Sequence, residues 1–155
     1  MENNCQGEMR MTDRESAQFI KGREFESYVI SMFPTMDFEI LQRADLEGSK
    51  IPDLYIKDRK MREKFWVEAK WRRRLYNEKY KICEADRLHS YKTFQESVKP
   101  ETVFMVLGLG GEPSAPHEVF CLPVSGIEYP ELFLSRLLNG KHEHATFRYQ
   151  RGRLY

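Results

Sequence analysis

The sequence predicts an α/β protein, a mixed β-sheet flanked by helices, on three observations. An amphipathic helical segment opens the patterned part of the chain. Three short strand-like runs follow it. A second helical segment then leads into a near-continuous apolar run, Thr102 to Leu109, which suits a central strand buried on both faces.

Residues 1 to 13 are polar and lack periodicity, so a flexible N-terminus is expected ahead of one domain over 14–155. From about Glu15 to Phe33, the residues Phe25, Tyr28, Val29, Met32 and Phe33 recur at one helix face, and Pro34 ends the segment. "FEILQR" (Phe38 to Arg43) alternates as a strand does, and "ADLEGSK" is a polar connector. "IPDLYIKD" and "FWVEAKW" read as strands joined by the charged turn "RKMREK". Ile82, Ala85, Leu88, Tyr91, Phe94 and Val98 step by three or four and predict a helix that Pro100 stops. "GGEPSAPHE" is a loop. "VFCLPV" is a strand near an edge, because Pro123 lacks a donor. Glu128 to Leu138 reads as a short helix, and the tail from Ala145 shows no decided pattern. The expected order is α-β-β-β-α-β-β-α.

The chain has 155 residues, 41% hydrophobic and 32% charged, as in a charged globular domain. No apolar run approaches the roughly 20 residues that span a bilayer. The first residues lack the apolar centre of a secretory signal, so the expected compartment is cytoplasmic, or nuclear in a eukaryote. Cys5, Cys83 and Cys121 are far apart and form no CxxC. The four histidines form no HExxH; "KHEH" could bind a metal on a strand, but a solvated charged loop is the favoured reading. "GLGG" (Gly108 to Gly111) lacks the Lys and helix of a phosphate loop, and no Ser-His-Asp grouping stands out. Net charge is only +1, yet "KWRRR" (Lys70 to Arg74) is densely basic, Lys79 and Lys81 follow, and Arg151 and Arg153 lie in the tail. A local basic patch of this kind can meet phosphate while the rest of the surface stays neutral.

Charges sit inside two of the strand-like runs: Asp53 in one, Glu68 and Lys70 in the other. An antiparallel hairpin that pairs Lys57 with Trp66 would pair Ile56 with Val67, Leu54 with Ala69 and Asp53 with Lys70. Opposed residues share a face. Leu54, Ile56, Val67 and Ala69 then form an apolar face, and Asp53, Glu68 and Lys70 gather on the other. Two carboxylates suit a hard cation such as Mg²⁺, which keeps several waters and accepts phosphate oxygen. A neighbouring lysine orients water or neutralises charge that develops on a phosphate.

These residues resemble a known family. "PDLYI…VEAK", with "KGREFESYVISMF" upstream, is similar to the PD-(D/E)xK nuclease superfamily, whose restriction-endonuclease-like fold has the core order α-β-β-β-α-β. Pro52-Asp53 matches the PD element and Glu68-Ala69-Lys70 matches ExK, over roughly residues 21–124. The resemblance implies hydrolysis of DNA phosphodiesters with Mg²⁺, for which Mn²⁺ can substitute. It implies metal binding by Asp53, Glu68 and the Ala69 carbonyl, and a catalytic Lys70 that positions the attacking water. "GREFE" places Glu26 where many members carry a helix glutamate, with Glu24 a weaker candidate. Small Holliday-junction resolvase-type nucleases are similar in size. Their second helix often carries Gln and then Tyr; here Tyr91 is present, but Arg87 stands at the Gln position and Gln95 lies two turns on.

The first expectation is thus a Mg-dependent nuclease on DNA, structure- or partner-directed, with Arg72, Arg73, Arg74, Lys79 and Lys81 on the DNA backbone. The alternative is a catalytically inactive nuclease-fold module that binds nucleic acid or protein. The blandest is an unrelated α/β interaction domain, which predicts no divalent-metal binding at Asp53 and Glu68. Partners implied by the family are a second copy in a homodimer, since two strands need two sites, or a larger DNA-processing complex. No membrane partner is expected.

Overall fold

The computed structural model describes residues 12–44 and 51–155. Most of the N-terminal segment and of the "ADLEGSK" connector lies outside these described residues.

Helix α1 runs Asp13–Ser31. It begins before the apolar stripe does because Thr12 caps it. The Thr12 hydroxyl accepts from the Glu15 N–H, and the Glu15 carboxylate accepts from the Thr12 N–H. Strands β1 (Phe38–Arg43), β2 (Leu54–Asp58) and β3 (Lys64–Arg72) follow, then a short β4 (Lys79–Lys81) and helix α2 (Ala85–Val98). Next come β5 (Val103–Leu109), β6 (Glu118–Pro123), β7 (Glu131–Phe133), the single turn α3 (Leu134–Leu137), β8 (Lys141–His142), β9 (Tyr149–Gln150) and β10 (Arg153–Leu154).

The main sheet has the order β1-β2-β3-β5-β6-β8. Its strands are antiparallel except β3 and β5, which run parallel and are joined through α2. Every residue of β5 is buried, as its continuous apolar run requires. Helix α1 covers one face: Phe25, Val29, Met32 and Phe33 pack with Phe38, Leu54, Ile56, Phe65 and Val67. Helix α2 covers the other, where Leu88 and Tyr91 pack with Val103, Met105 and Leu107. Gly108 lets α1 sit close, since a Cβ there would lie 2.5 Å from the Phe25 ring. Among the described residues no helix is long and apolar enough to cross a membrane.

The structure corrects four expectations. Helix α2 starts at Ala85, because Ile82 extends β4 and its N–H bonds the Pro130 carbonyl at 2.8 Å. The helix expected over 128–138 is reduced to the single turn α3: Glu131–Phe133 ahead of it form β7, in which only Leu132 is buried, the alternation of an edge strand, and β7 pairs with β4. "KHEH" contributes β8, which pairs with β6 at Val119 and Phe120. The β2–β3 register is also two residues from the expected one. Leu54 pairs with Val67 and Lys57 with Lys64. The turn is tighter than assumed, with Asp58 Oδ2 accepting from the Met61 N–H and Arg62 left-handed at φ 61°. A shift of two residues keeps every side chain on its face, so the apolar set stays together. The undecided tail forms a β9–β10 hairpin that stacks Tyr149 on Phe65 with ring centres 4.8 Å apart.

Candidate active site

Asp53 stands just before β2, where the pairing with β3 runs out. Continuing the observed register places it opposite Glu68 rather than Lys70. The two strand ends are tied by side chains instead of a ladder. Asp53 Oδ2 accepts from the Ala69 N–H at 2.9 Å, and Glu68 Oε2 accepts from the Asp53 N–H at 3.1 Å. Glu68 is 3% exposed, lying beneath α2. Its Oε1 meets Lys70 Nζ at 3.2 Å and accepts from the Tyr91 hydroxyl at 2.8 Å. Arg87 Nε donates to that hydroxyl oxygen at 3.2 Å, with its guanidinium over the Tyr91 ring.

Burial and then the charge of Glu68 push the Asp53 carboxyl up to about 8, against the Ala69 N–H bond, which lowers it; Glu26 adds to the rise. Burial also opposes the charge of Lys70, but Glu68, Tyr91 and Asp53 outweigh it and hold the ammonium above its ordinary range. Burial, then Glu68, pushes the Tyr91 phenol up to about 12. Tyr91 therefore donates its proton to Glu68 as a neutral phenol at neutral pH.

Glu26, on α1, is 5% exposed. Its Oε1 takes hydrogen bonds from Arg23 at 3.1 Å and from Arg43 of β1. Among the described residues no bond reaches its Oε2. Glu24 does not line the groove described next.

Glu26, Asp53, Glu68 and Lys70 line one open groove of about 1060 Å³. Arg14, Lys21 and Arg23 of α1, Lys70 and Arg72 of β3, Arg73 and Arg74 after it, Lys81 of β4 and Arg87 of α2 bring nine cationic side chains to its lining. Among the described residues four carboxylates, Glu26, Asp53, Glu68 and Glu84, oppose them. In a chain of net charge +1, this is a concentrated positive surface. Of the basic residues picked from the sequence, Arg73, Arg74 and Lys81 line it. Arg72 does too, but its guanidinium bonds the carbonyls of Trp71, Lys81 and Ile82 and acts as a brace. Lys79 faces a second groove, with Nζ 4.8 Å from the Phe133 ring centre.

No family model matches this chain, and no curated relative does. A solved structure matches: the Hjc Holliday junction resolvase from Archaeoglobus fulgidus, an archaeal hyperthermophile, with a TM-score of 0.57 and 21% sequence identity. The match covers 77% of this chain and 89% of that one. This chain has the restriction-endonuclease-like fold. Within that fold, the positions matching PD and ExK are the ones brought together at the end of the β2–β3 pairing. Gln95 is not among the groove residues. Its amide bonds the Glu101 carbonyl and the Val103 N–H at 2.8 and 2.7 Å, stitching the end of α2 to β5. Arg87 alone holds the place at the groove.

A divalent ion fits the donor set present. Asp53 Oδ1 takes no hydrogen bond among the described residues, and its carboxyl carries an electrostatic penalty that a cation would relieve. The Ala69 N–H points to Asp53, and in a strand the carbonyl of the same residue faces the same edge, where β2 has ended. Among the described residues no three His, Cys, Asp or Glu side chains are arranged around one ion position. The ligands on offer are thus two carboxylates, a main-chain oxygen and water, a set suited to Mg²⁺.

The sequence did not mark Arg14, Lys21 and Arg23 as groove residues, and it marked Arg87 only as the residue at the second-helix Gln position. A signal existed for the first two: Arg14, Gln18 and Lys21 follow i, i+4, i+7 and so share one face of α1. Tyr91 stood out in the sequence as part of a helix stripe and as the Tyr of the second-helix pattern, but without its contact to Glu68.

Proposed function

We propose that the protein is a metal-dependent nuclease that hydrolyses DNA phosphodiester bonds. The observation that carries this reading is the convergence of Asp53, Glu68 and Lys70 on the lining of a groove to which cationic side chains also come from α1, α2 and the β3–β4 arm.

Asp53, Glu68 and the Ala69 carbonyl are the residues that would hold Mg²⁺, or Mn²⁺ in its place. When bound, the ion supplies Lewis acidity at the phosphate and eases loss of a proton from water. Lys70 is held as an ammonium beside Glu68. It hydrogen-bonds the attacking water and neutralises charge on the phosphoryl oxygens as the water adds to phosphorus and the bond to one sugar oxygen breaks. Tyr91 fixes the Glu68 carboxylate from the other side, and Arg87 holds Tyr91. Glu26 lines the groove with Asp53 and Glu68, near enough to add to the rise of the Asp53 carboxyl. Arg73, Arg74, Lys81, Arg14 and Lys21 grip the phosphate backbone, which positions DNA without reading its sequence. Cutting is therefore directed by DNA shape or by a partner.

Cleavage of single strands, duplexes, flaps and four-way junctions with Mg²⁺ or Mn²⁺ tests the reading, with Asp53→Ala and Lys70→Ala as controls. Wild-type protein that cuts nothing, or variants that cut equally well, would overturn it.

A further inference from the structure

One rim of the groove is a small, rigid arm. Main-chain bonds between Tyr76 and Lys79, both 2.9 Å, close a two-residue turn. Its central residues, Asn77 and Glu78, are left-handed at φ 49° and 63°. This is the tight turn that matches strand twist, and such residues more often are glycine. A non-glycine residue pays about 1–2 kcal/mol for that conformation, so the surroundings must hold the turn in place.

They do so at three points. Tyr80 is fully buried, and its hydroxyl lies 3.0 Å from the Lys70 carbonyl and 2.9 Å from that of Gly108. Arg72 clamps the carbonyls of Lys81 and Ile82. On the outer side, β4 pairs with β7. The arm is thus bolted to the same strand that carries Glu68 and Lys70.

At its tip, Tyr76 is 59% exposed and lines the groove. Among the described residues, only the Arg74 guanidinium stacks over its ring, 5.2 Å from the centre. Burying an aromatic would stabilise the fold, and this one is instead held out on a fixed arm among cations. A cationic groove with an aromatic ring at its edge is the arrangement that binds an unpaired strand: phosphates meet the charges and a base stacks on the ring. A paired base offers no free face to stack upon.

We propose that Tyr76 is a stacking platform for an unpaired base, so that the groove takes a DNA strand that is single-stranded beside the candidate active site. This rests on the nuclease reading above for the identity of the polyanion, and it is tested by binding alone. Affinity is measured in EDTA, with the Asp53→Ala background to exclude cutting, for a forked duplex and for a fully paired duplex of equal length.

The fork is expected to bind more tightly than the duplex. Tyr76→Ala should weaken fork binding about 5- to 150-fold, the range for one lost base stack, and leave duplex binding unchanged. Tyr76→Phe, which keeps the ring, should bind as the wild type does. Equal binding of fork and duplex, an equal loss on both, or no loss with Tyr76→Ala would overturn the platform. Fork-selective binding that depends on Tyr76, in a protein that cleaves nothing, would leave the platform standing and remove the nuclease reading.

Discussion

The Tyr91 hydroxyl donates to Glu68 Oε1 at 2.8 Å, so a helix on one face of the sheet sets the orientation of a carboxylate that belongs to a strand. Lys70 contacts the same oxygen from its own strand at 3.2 Å. Glu68 is held from two directions while nearly excluded from water. A fixed carboxylate loses less freedom when it takes up a metal ion than one that must first be ordered.

Removing that hydroxyl tests the point. Tyr91→Phe keeps the ring and its packing and withdraws one donor from a buried carboxylate. Stability should fall by about 1.5–3 kcal/mol in urea unfolding, and cleavage by about 10- to 100-fold at subsaturating metal. Activity that matches the wild type would show that Glu68 needs no such support.

Lys70→Met retains the aliphatic stem and removes the ammonium. Single-turnover cleavage should drop by about 10²–10³-fold, while Mn²⁺ binding, followed by calorimetry, stays within a few-fold. A large loss of Mn²⁺ affinity would mean that Lys70 orders the carboxylates rather than the water.

Asp53 predicts a pH dependence for the metal-free protein. Its carboxyl is pushed up to about 8 in the fold, by burial first and Glu68 second, from an ordinary value of 3.8. Between those values the folded state keeps a proton that the unfolded chain has lost, so stability from this group falls as pH rises. The loss begins near pH 4 and levels off above about 8. Denaturation in EDTA across this range should show wild type losing stability relative to Asp53→Asn, and added Mg²⁺ should reduce the difference at high pH. Parallel pH profiles for the two proteins would contradict the shift.

Gly108→Ala probes the seat of α1. The added methyl would meet the Phe25 ring at 2.5 Å and Trp71 at 3.0 Å. Overpacking of this kind destabilises by about 1–3 kcal/mol. Because Phe25 precedes Glu26, activity should fall further than stability alone explains. Pairing the change with Phe25→Leu should recover part of both, as read by thermal unfolding and cleavage rate.

Much of the fold was legible because its signals are local. The helix stripe of Phe25, Val29 and Met32, the alternation around Ile56 and Val67, and the unbroken apolar run of β5 each reflect burial on one face or two. The short elements were not legible in the same way. Residues 128–138 carry apolar spacing that fits a helix, but only Leu134–Leu137 form one, because Glu131–Phe133 pair with β4. The β4 edge is set by residues far away in the chain, with the Tyr80 hydroxyl seated on the Lys70 and Gly108 carbonyls.

The site divides along the same line. The sequence by itself determined that Asp53, Glu68 and Lys70 share a face, since strand side chains alternate with a period of two and the apolar partners demand one side. That held even though the register moved by two residues and set Asp53 against Glu68. The tertiary structure alone decided that α2 covers this face and brings Tyr91 and Arg87 to Glu68. It also decided that cations from α1 and from the Arg73–Lys81 arm join them around one groove. Those meetings depend on how helices pack across a twisted sheet, on contacts between residues far apart in the chain, and no local period records them.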